Sequence, residues 1–333
     1  MPDYAASRYY PTRVGEVLKN QYQIVGKLGF GTSSTVWLAR DMNYRRYVTL
    51  KIYITAASIG QHLNDEFNMY QRIERGSRNH PGRGAIRPLL DSFDINGPHD
   101  KHRCLVHPPL WESALTFLYR NPVRRLPVPV LASILKRLCL ALDYLHTECQ
   151  IIHTDIKADN IMFGVGDESV FRGLVKEELE NPSPRKELDG RTTYVSRELG
   201  LPGEWGAPVL CDFGSAVPGD VEHLEDIQPD IYRAPEIWNV YEGGSLAHLA
   251  EIVCLHGPPP PSLLARGRLK YKFFSDEGKV ISVVISSMET TLEGQEKADF
   301  LRLVRKMLQW DPAQRSSARE LLEDEWICRH TRN

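Results

Sequence analysis

The sequence predicts an α+β fold: a small antiparallel sheet followed by a larger, mostly helical part. Three observations carry this. Three β-rich runs lie close together near the start, Tyr22 to Leu28, Thr35 to Arg40 and Tyr47 to Tyr53, the first two joined by a glycine turn. From Val130 to His146, Ile134, Leu138, Ala141, Leu142 and Leu145 form an apolar stripe at helical spacing. Between the two halves of the 333-residue chain lies a polar loop, His153-x-Asp155-x-Lys157-x-x-Asn160, followed by the apolar run Ile161, Met162, Phe163.

Composition sets the outer limits. Hydrophobic residues make up 42% and charged residues 25%, ordinary globular values. The length suits one two-lobed domain or two small ones. A formal net charge of −2 argues against general nucleic-acid binding. Six cysteines (104, 139, 149, 211, 254 and 328) are scattered without a C-x-x-C pair, so neither a zinc site nor a disulfide framework is expected. The first residues are polar and Tyr-rich, unlike a signal peptide. Lys136, Arg137 and Asp143 interrupt the longest apolar stretch, which excludes a membrane span there. Reduced thiols and these absences imply an intracellular protein of cytoplasm and nucleus.

Taken in order, residues 1–20 are expected as a flexible arm. The first strand leads into Gly29-Phe30-Gly31-Thr32-Ser33-Ser34, a turn whose glycines let backbone N–H groups approach phosphates. A plain hairpin turn fits these six residues equally well. Lys51 closes the third strand, and Gln61 to Arg75 reads as a helix carrying Glu66. A buried Lys51–Glu66 pair there would position phosphates. Cys104 to Val106 is a strand leading to the stiff connector Pro108-Pro109. Residues 164–208 read as a polar, turn-rich insert, after which Pro208 to Cys211 returns as a strand and delivers Asp212-Phe213-Gly214. Leu246 to Leu255 is helical, and four prolines after Gly257 end it. Ala298 to Trp310 is amphipathic, and Ser317-x-x-Glu320 is a capping box opening a last helix to Trp326.

The central loop has a chemical logic of its own. A carboxylate at Asp155 orients a hydroxyl and takes its proton, an ammonium at Lys157 neutralises a moving phosphoryl group, and an amide oxygen at Asn160 holds a metal ion.

These strings occur in one order: the glycine loop, Lys51, Glu66, His153-Thr154-Asp155, Lys157, Asn160, Asp212-Phe213-Gly214, Ala234-Pro235-Glu236 and Arg315. In that order, over roughly Tyr22 to Trp326, the chain resembles the eukaryotic protein kinases. The resemblance implies a bilobal protein kinase fold, with a β-rich N-lobe over 21–108 and a helical C-lobe over 109–333. It implies ATP and Mg2+ as cofactors. Leu28, Gly29, Gly31, Ser34, Val36, Lys51 and Leu110 would surround the nucleotide. Lys51 would pair with Glu66, Asp155 would be the catalytic base beside Lys157, and Asn160 and Asp212 would hold magnesium. Lys157 implies Ser/Thr rather than Tyr specificity.

Within that family, Thr35-Val36-Trp37-Leu38-Ala39, His153-Thr154-Asp155, Cys211 to Ala216 and Ala247 to Glu251 before Gly257-Pro258-Pro259-Pro260 are similar to the SR-protein kinases, in a fungal-looking form. That resemblance implies a monomeric enzyme acting on serines of basic, Arg-Ser-rich proteins that process pre-mRNA. Asp220, Glu222, Glu225, Asp226 and Asp230, with no Lys or Arg between Gly214 and Arg233, would seat a basic peptide; a solvated acidic loop reads the same way.

Three departures stand out. Thr49 takes the place of the usual Ala two positions before the strand lysine. His107-Pro108-Pro109 lacks the common acidic residue of the hinge. After Glu236 the chain runs directly into Ile237 to Val240 and, by 246, into the next helix, so two pieces of the family pattern are missing. A non-catalytic pseudokinase or scaffold is therefore the competing expectation. A small-molecule phosphotransferase, which shares H-x-D-x-x-x-x-N, is disfavoured by Asp212-Phe213-Gly214 and Lys157.

Overall fold

The computed structural model describes residues 5–59, 65–188, 191–223, 228, 257–260 and 292–332. Its first part is a six-stranded antiparallel sheet in the order β1-β2-β3-β4-β6-β5. The strands are β1 (Val17–Leu18), β2 (Tyr22–Phe30), β3 (Ser34–Asp41), β4 (Arg46–Thr55), β5 (Asp91–Asn96) and β6 (Lys101–His107). β4 shows why the sheet forms. Val48, Leu50 and Ile52 alternate with Thr49, Lys51 and Tyr53, so β-branched and apolar groups fill one face and the other turns to the cleft.

Both faces of this sheet are covered. Leu38, Tyr53 and Leu105 join the main core with Met69, Tyr70 and Ile73 of α2 (Asp65–Arg75). α2 opens with Asp65 and Glu66 and ends with Arg72 and Arg75, charges that suit the helix dipole; residues 61–64 of its expected span lie outside the described residues. A four-residue helix, α1 (Ala56–Ile59), precedes it. The opposite face, built on Ile24, Trp37, Ala39, Val48 and Leu50, is closed by Tyr10, Val14 and Leu18 and by Tyr194. That burial explains why residues 5–20 depart from the flexible arm expected there. Each large apolar side chain so covered contributes about 1.5–3 kcal/mol, and β1 adds a backbone pairing of Val17 with Gln23.

The second part is organised on α4 (Val128–Tyr144). Its two apolar faces serve two clusters. Ile134, Ala141 and Tyr144 point into the main core, whereas Ala132 and Cys139 meet Leu303, Leu321, Trp326 and Ile327. These come from α6 (Gly294–Met307), α7 (Ala318–Leu322) and α8 (Glu325–Thr331). Ser317 and Glu320 form the expected capping box, and the expected last helix is two helices, restarted by the Asp324 cap on Trp326 N–H. At Gly82 a Cβ would stand 1.9 Å from the Leu140 carbonyl, so the Pro81–Ala85 turn packs on α4 only because it lacks a side chain. α3 (Ala114–Arg120) follows the Pro108-Pro109 connector, capped by Ser113.

The stretch 164–208 holds more order than its turn residues suggest. After β8 (Ile161–Val165) comes α5 (Ser169–Glu180), which packs Leu174 against Gly26 and Phe171 against Tyr47. A hairpin of β9 (Arg185–Leu188) and β10 (Arg191–Tyr194) follows, and β11 (Trp205–Leu210) returns antiparallel to β8. The expected helix 246–255 and the shortened region around 237–246 lie outside the described residues.

Candidate active site

The polar loop is held between two short pairings. β7 (Ile151–Ile152) pairs with β12 (Val217–Pro218), and β8 pairs with β11. Residues 153–160 and 211–216 are thereby brought side by side. His153 is the internal brace. Its Nε2–H donates to the Cys211 carbonyl at 3.1 Å, and its Nδ1 accepts the Asp155 N–H at 3.3 Å. Burial pushes its pKa down, so the neutral imidazole serves both bonds. Phe213, fully buried, packs at a tilt against His153 on one side and edge-on against Tyr70 of α2 on the other.

Two residues of this loop pair take left-handed backbone, Thr154 at φ 61° and Asp212 at φ 63°. Neither is glycine, and a β-branched residue there is strained by about 1–3 kcal/mol. Asp212 is turned so that its carboxylate faces Lys51. Lys51 Nζ lies 2.9 Å from Asp212 Oδ1 and 2.7 Å from Glu66 Oε2. Burial pulls the Lys51 ammonium down, but the two carboxylates outweigh it and leave its pKa above the ordinary value. Lys51 in turn holds Asp212 below the usual carboxylate range. The expected Lys51–Glu66 pair is therefore formed, with Asp212 as a third member.

Across the loop, Asp155 Oδ2 accepts from Lys157 Nζ at 2.7 Å and from Asn160 Nδ2 at 2.8 Å. Asn160 Nδ2 also donates to the Asp155 carbonyl at 2.8 Å. The amide of Asn160 is thus oriented with its oxygen away from Asp155. That oxygen and the Asp212 carboxylate are hard donors of the type magnesium takes, and a magnesium ion commonly needs only one or two protein groups when phosphates supply the rest. No cluster of three or more His, Cys, Asp or Glu side chains suited to a metal occurs among the described residues.

A cavity of about 660 Å³ opens between the sheet and the α4 part. Leu28, Gly29, Gly31, Ser34, Val36, Lys51 and Leu110, all expected around a nucleotide, line it, together with Glu66, Asn160 and Asp212. Asp155 and Lys157 stand beside it, tied in through Asn160. The walls also contain Met162, which the sequence reading did not place there, and Thr49 and His107, which it noted as departures. Met162 is the alternate residue after Asn160 on β8, a signal that strand periodicity offered. Thr49 and His107, directly opposite one another in the β4–β6 register, form the inner wall. His107 donates from Nδ1 to the Pro88 carbonyl at 2.9 Å and is kept neutral by burial. The Thr49 hydroxyl is buried with no hydrogen-bond partner.

Ser196 to Leu199 close one side of the same cavity, and no local sequence pattern announces them. Arg197 N–H donates to the Lys27 carbonyl at 2.9 Å, Arg120 reaches the Leu199 carbonyl at 3.2 Å, and Trp111 Nε1 donates to Gly200 at 2.8 Å. The insert so bridges both lobes. Of the acidic run, Asp220 is engaged by Arg72 of α2 at 3.1 Å, and Glu222 is exposed. Glu225, Asp226 and Asp230 lie outside the described residues, as does Ala234-Pro235-Glu236.

Comparison with known proteins agrees with this geometry. The protein kinase domain family matches residues 22–199. A serine/threonine protein kinase of Aspergillus fumigatus is 37% identical, with 98% of this chain and 89% of that protein covered. The serine/threonine-protein kinase SRPK of Physarum polycephalum is 29% identical over 98% of this chain and 90% of its own length. Mouse SRSF protein kinase 3 is 38% identical over 54% of this chain and 31% of that protein. A crystal structure of a kinase domain superposes with a TM-score of 0.70 over 96% of this chain and 99% of that one; at 20% identity it supports the bilobal kinase fold. A cleft between a glycine-turn sheet and a helical lobe, a lysine held by two carboxylates inside it, and relatives of this kind place the chain in the protein kinase family, among the serine/threonine kinases related to SRPK.

Proposed function

We propose that this kinase transfers the γ-phosphate of ATP to serines of basic, Arg-Ser-rich proteins. The observation that carries the phosphotransfer part is the Lys51 ammonium, fixed at 2.7 Å from Glu66 and 2.9 Å from Asp212 at the inner end of the cleft. Held there, it meets the α- and β-phosphates of a nucleotide whose base lies between Leu28, Val36 and Leu110. Glycines 29 and 31 let the backbone close over those phosphates. Asp155 receives the serine hydroxyl and its proton, and Lys157, 2.7 Å away, screens the charge that develops on the moving phosphoryl group. Asn160 and Asp212 would hold Mg2+, which when bound neutralises phosphate charge.

The substrate part rests on the SRPK and SRSF kinases among the relatives and on the acidic run after Gly214. Asp220 is committed to Arg72, so Glu222 and the acids that follow it would meet the peptide. The test is transfer of radiolabelled phosphate from ATP to an Arg-Ser repeat peptide, with Asp155→Asn as control. Rapid labelling of the peptide that falls with added salt and vanishes in the variant is the expected result. Equal labelling of an acidic serine peptide would overturn the substrate assignment.

A second reading, a pseudokinase that binds nucleotide or a partner without efficient transfer, draws on the short stretch after Glu236. The match to the Aspergillus kinase runs over 368 residues, more than this chain contains, so that relative has additional residues within the matched region. Magnesium-dependent ATP binding without peptide labelling would favour this reading.

A further inference from the structure

A second cavity, of about 620 Å³, lies on the outer side of the sheet, roofed by residues 6–12 and by the end of the β9–β10 hairpin. It holds an electrostatic imbalance. Lys27 is 8% exposed, yet its ammonium meets only the Tyr194 carbonyl at 3.1 Å and the ring faces of Phe30 and Trp37, at 5.0 and 6.0 Å. Burial lowers its pKa and no carboxylate opposes the effect. The second cation of the lining, Arg191, spends one nitrogen on the Ala6 and Tyr9 carbonyls, 2.7 Å each, and has no acidic partner among the described residues. Among the described residues, no Asp or Glu lines the cavity. The carboxylate of Glu16 in the same arm is already engaged, by the Tyr10 hydroxyl at 2.6 Å and the Arg13 N–H at 3.0 Å. The Ser196 hydroxyl in the wall is buried without a partner.

A buried cation normally has its counter-ion beside it, because an uncompensated charge away from water is costly. Here two cations line one half-open cavity, and the other walls are aromatic: Tyr10, Phe30 and Trp37. The volume falls within the range of small-ligand sites, roughly 300–1,000 Å³. We infer that this cavity is a binding site for a small aromatic anion, a carboxylate or sulfonate on a planar ring system. The acid group supplies the counter-ion that no described residue gives to Lys27 and Arg191, and the ring lies among the aromatic walls. Its roof touches the glycine turn, since the Tyr9 hydroxyl donates to the Gly31 and Thr32 carbonyls at 3.2 and 3.1 Å. An occupant is therefore in contact with the loop that covers the kinase cleft.

The site adjoins the cleft, with Phe30 and Ser196 in the walls of both, and its test does not depend on the phosphotransfer reading. Calorimetric titrations with 1-naphthoate and with the uncharged 1-naphthamide, each with and without saturating ADP and magnesium, separate the two cavities. Naphthoate should bind about tenfold more tightly than naphthamide, in both conditions, a difference of about 1.4 kcal/mol. Lys27→Met, which keeps the stem's packing, should erase that advantage, and Arg191→Gln should reduce it. Thermal melts of both variants establish that they are folded. The inference is overturned if naphthoate does not bind at millimolar concentration, if the two probes bind equally, if ADP abolishes naphthoate binding, or if the advantage survives in both folded variants.

Discussion

Thr154 donates its hydroxyl to the Ser215 carbonyl over 2.6 Å, joining the His153–Asn160 loop to the segment after Asp212-Phe213-Gly214. The Gln228 N–H bonds the Thr154 carbonyl at 2.9 Å, and the Gln228 side chain takes the Ile156 N–H at 3.1 Å. A neutral hydroxyl thus serves where many kinases place an arginine that receives a loop phosphate. Phosphatase treatment should leave the rate of peptide phosphorylation unchanged. Thr154→Val keeps the side-chain shape and the strained φ but loses the bond, and should slow transfer about tenfold, for a net loss near 1–1.5 kcal/mol. A large drop after phosphatase, or a Thr154→Val enzyme of full activity, would contradict this account.

Glu66 is almost fully buried and depends on Lys51. Replacing the lysine alone leaves a carboxylate without its cation, which costs about 3–5 kcal/mol. Lys51→Met should therefore lower both nucleotide binding and melting temperature. Adding Glu66→Leu should recover most of the stability and none of the binding. If Lys51→Met melts with the wild type, the pair carries no stability.

The Thr49 hydroxyl has no hydrogen-bond partner in its buried position. Removing an unsatisfied polar group in favour of an isosteric methyl is stabilising by roughly 1–3 kcal/mol. Thr49→Val should raise the melting temperature of the nucleotide-free protein. A variant that melts lower would mean that the hydroxyl is satisfied in solution.

Three histidines, His102, His107 and His153, are each about 1% exposed, and burial lowers the pKa of all three. Between their folded values and the ordinary value near 6.5, the unfolded chain binds protons that the folded chain refuses. Stability is then fully present above about pH 6.5 and falls as pH drops below it, by up to about 1.4 kcal/mol per unit for each histidine. Melting temperature should be flat from pH 8 to 7 and decline towards pH 5.5. His107→Gln, which can still donate to Pro88, should remove about one proton from that slope. A constant melting temperature down to pH 5.5 would refute the argument.

How much of this was legible in the sequence depends on the range of the interaction. The strands, α4 and the Ser317 cap follow from periodicities a few residues long. Asp155, Lys157 and Asn160 share one loop and could be read together as chemistry. The contact of Lys51 with Asp212 spans 161 positions, and only the resemblance implied that the two share a site. α5 left a signal in Val170, Phe171 and Leu174, spaced for one helical face, which turn residues further along the insert obscured. Nothing near Leu199 foretells that it borders the cleft, because its neighbours there, Arg120 and Trp111, are some eighty positions away. The first residues misled for the opposite reason. Their Tyr-rich, polar character suits solvent, yet a sheet with two apolar faces needs a second cover, and Tyr10 and Val14 provide it.

The lobes of this kinase are joined by chain at Pro108-Pro109 and again, without chain, by contacts of the insert with the sheet, among them the bond from the Arg197 amide to the Lys27 carbonyl and the packing of Phe171 on Tyr47. A hinge with one attachment swings freely; a hinge with a latch must release it first. The Arg197 amide proton is shielded while the latch is shut and meets solvent when the insert leaves the sheet. Its exchange with deuterium, followed at that single position, therefore counts release of the insert from the sheet, and a nucleotide that holds the lobes together should slow the count.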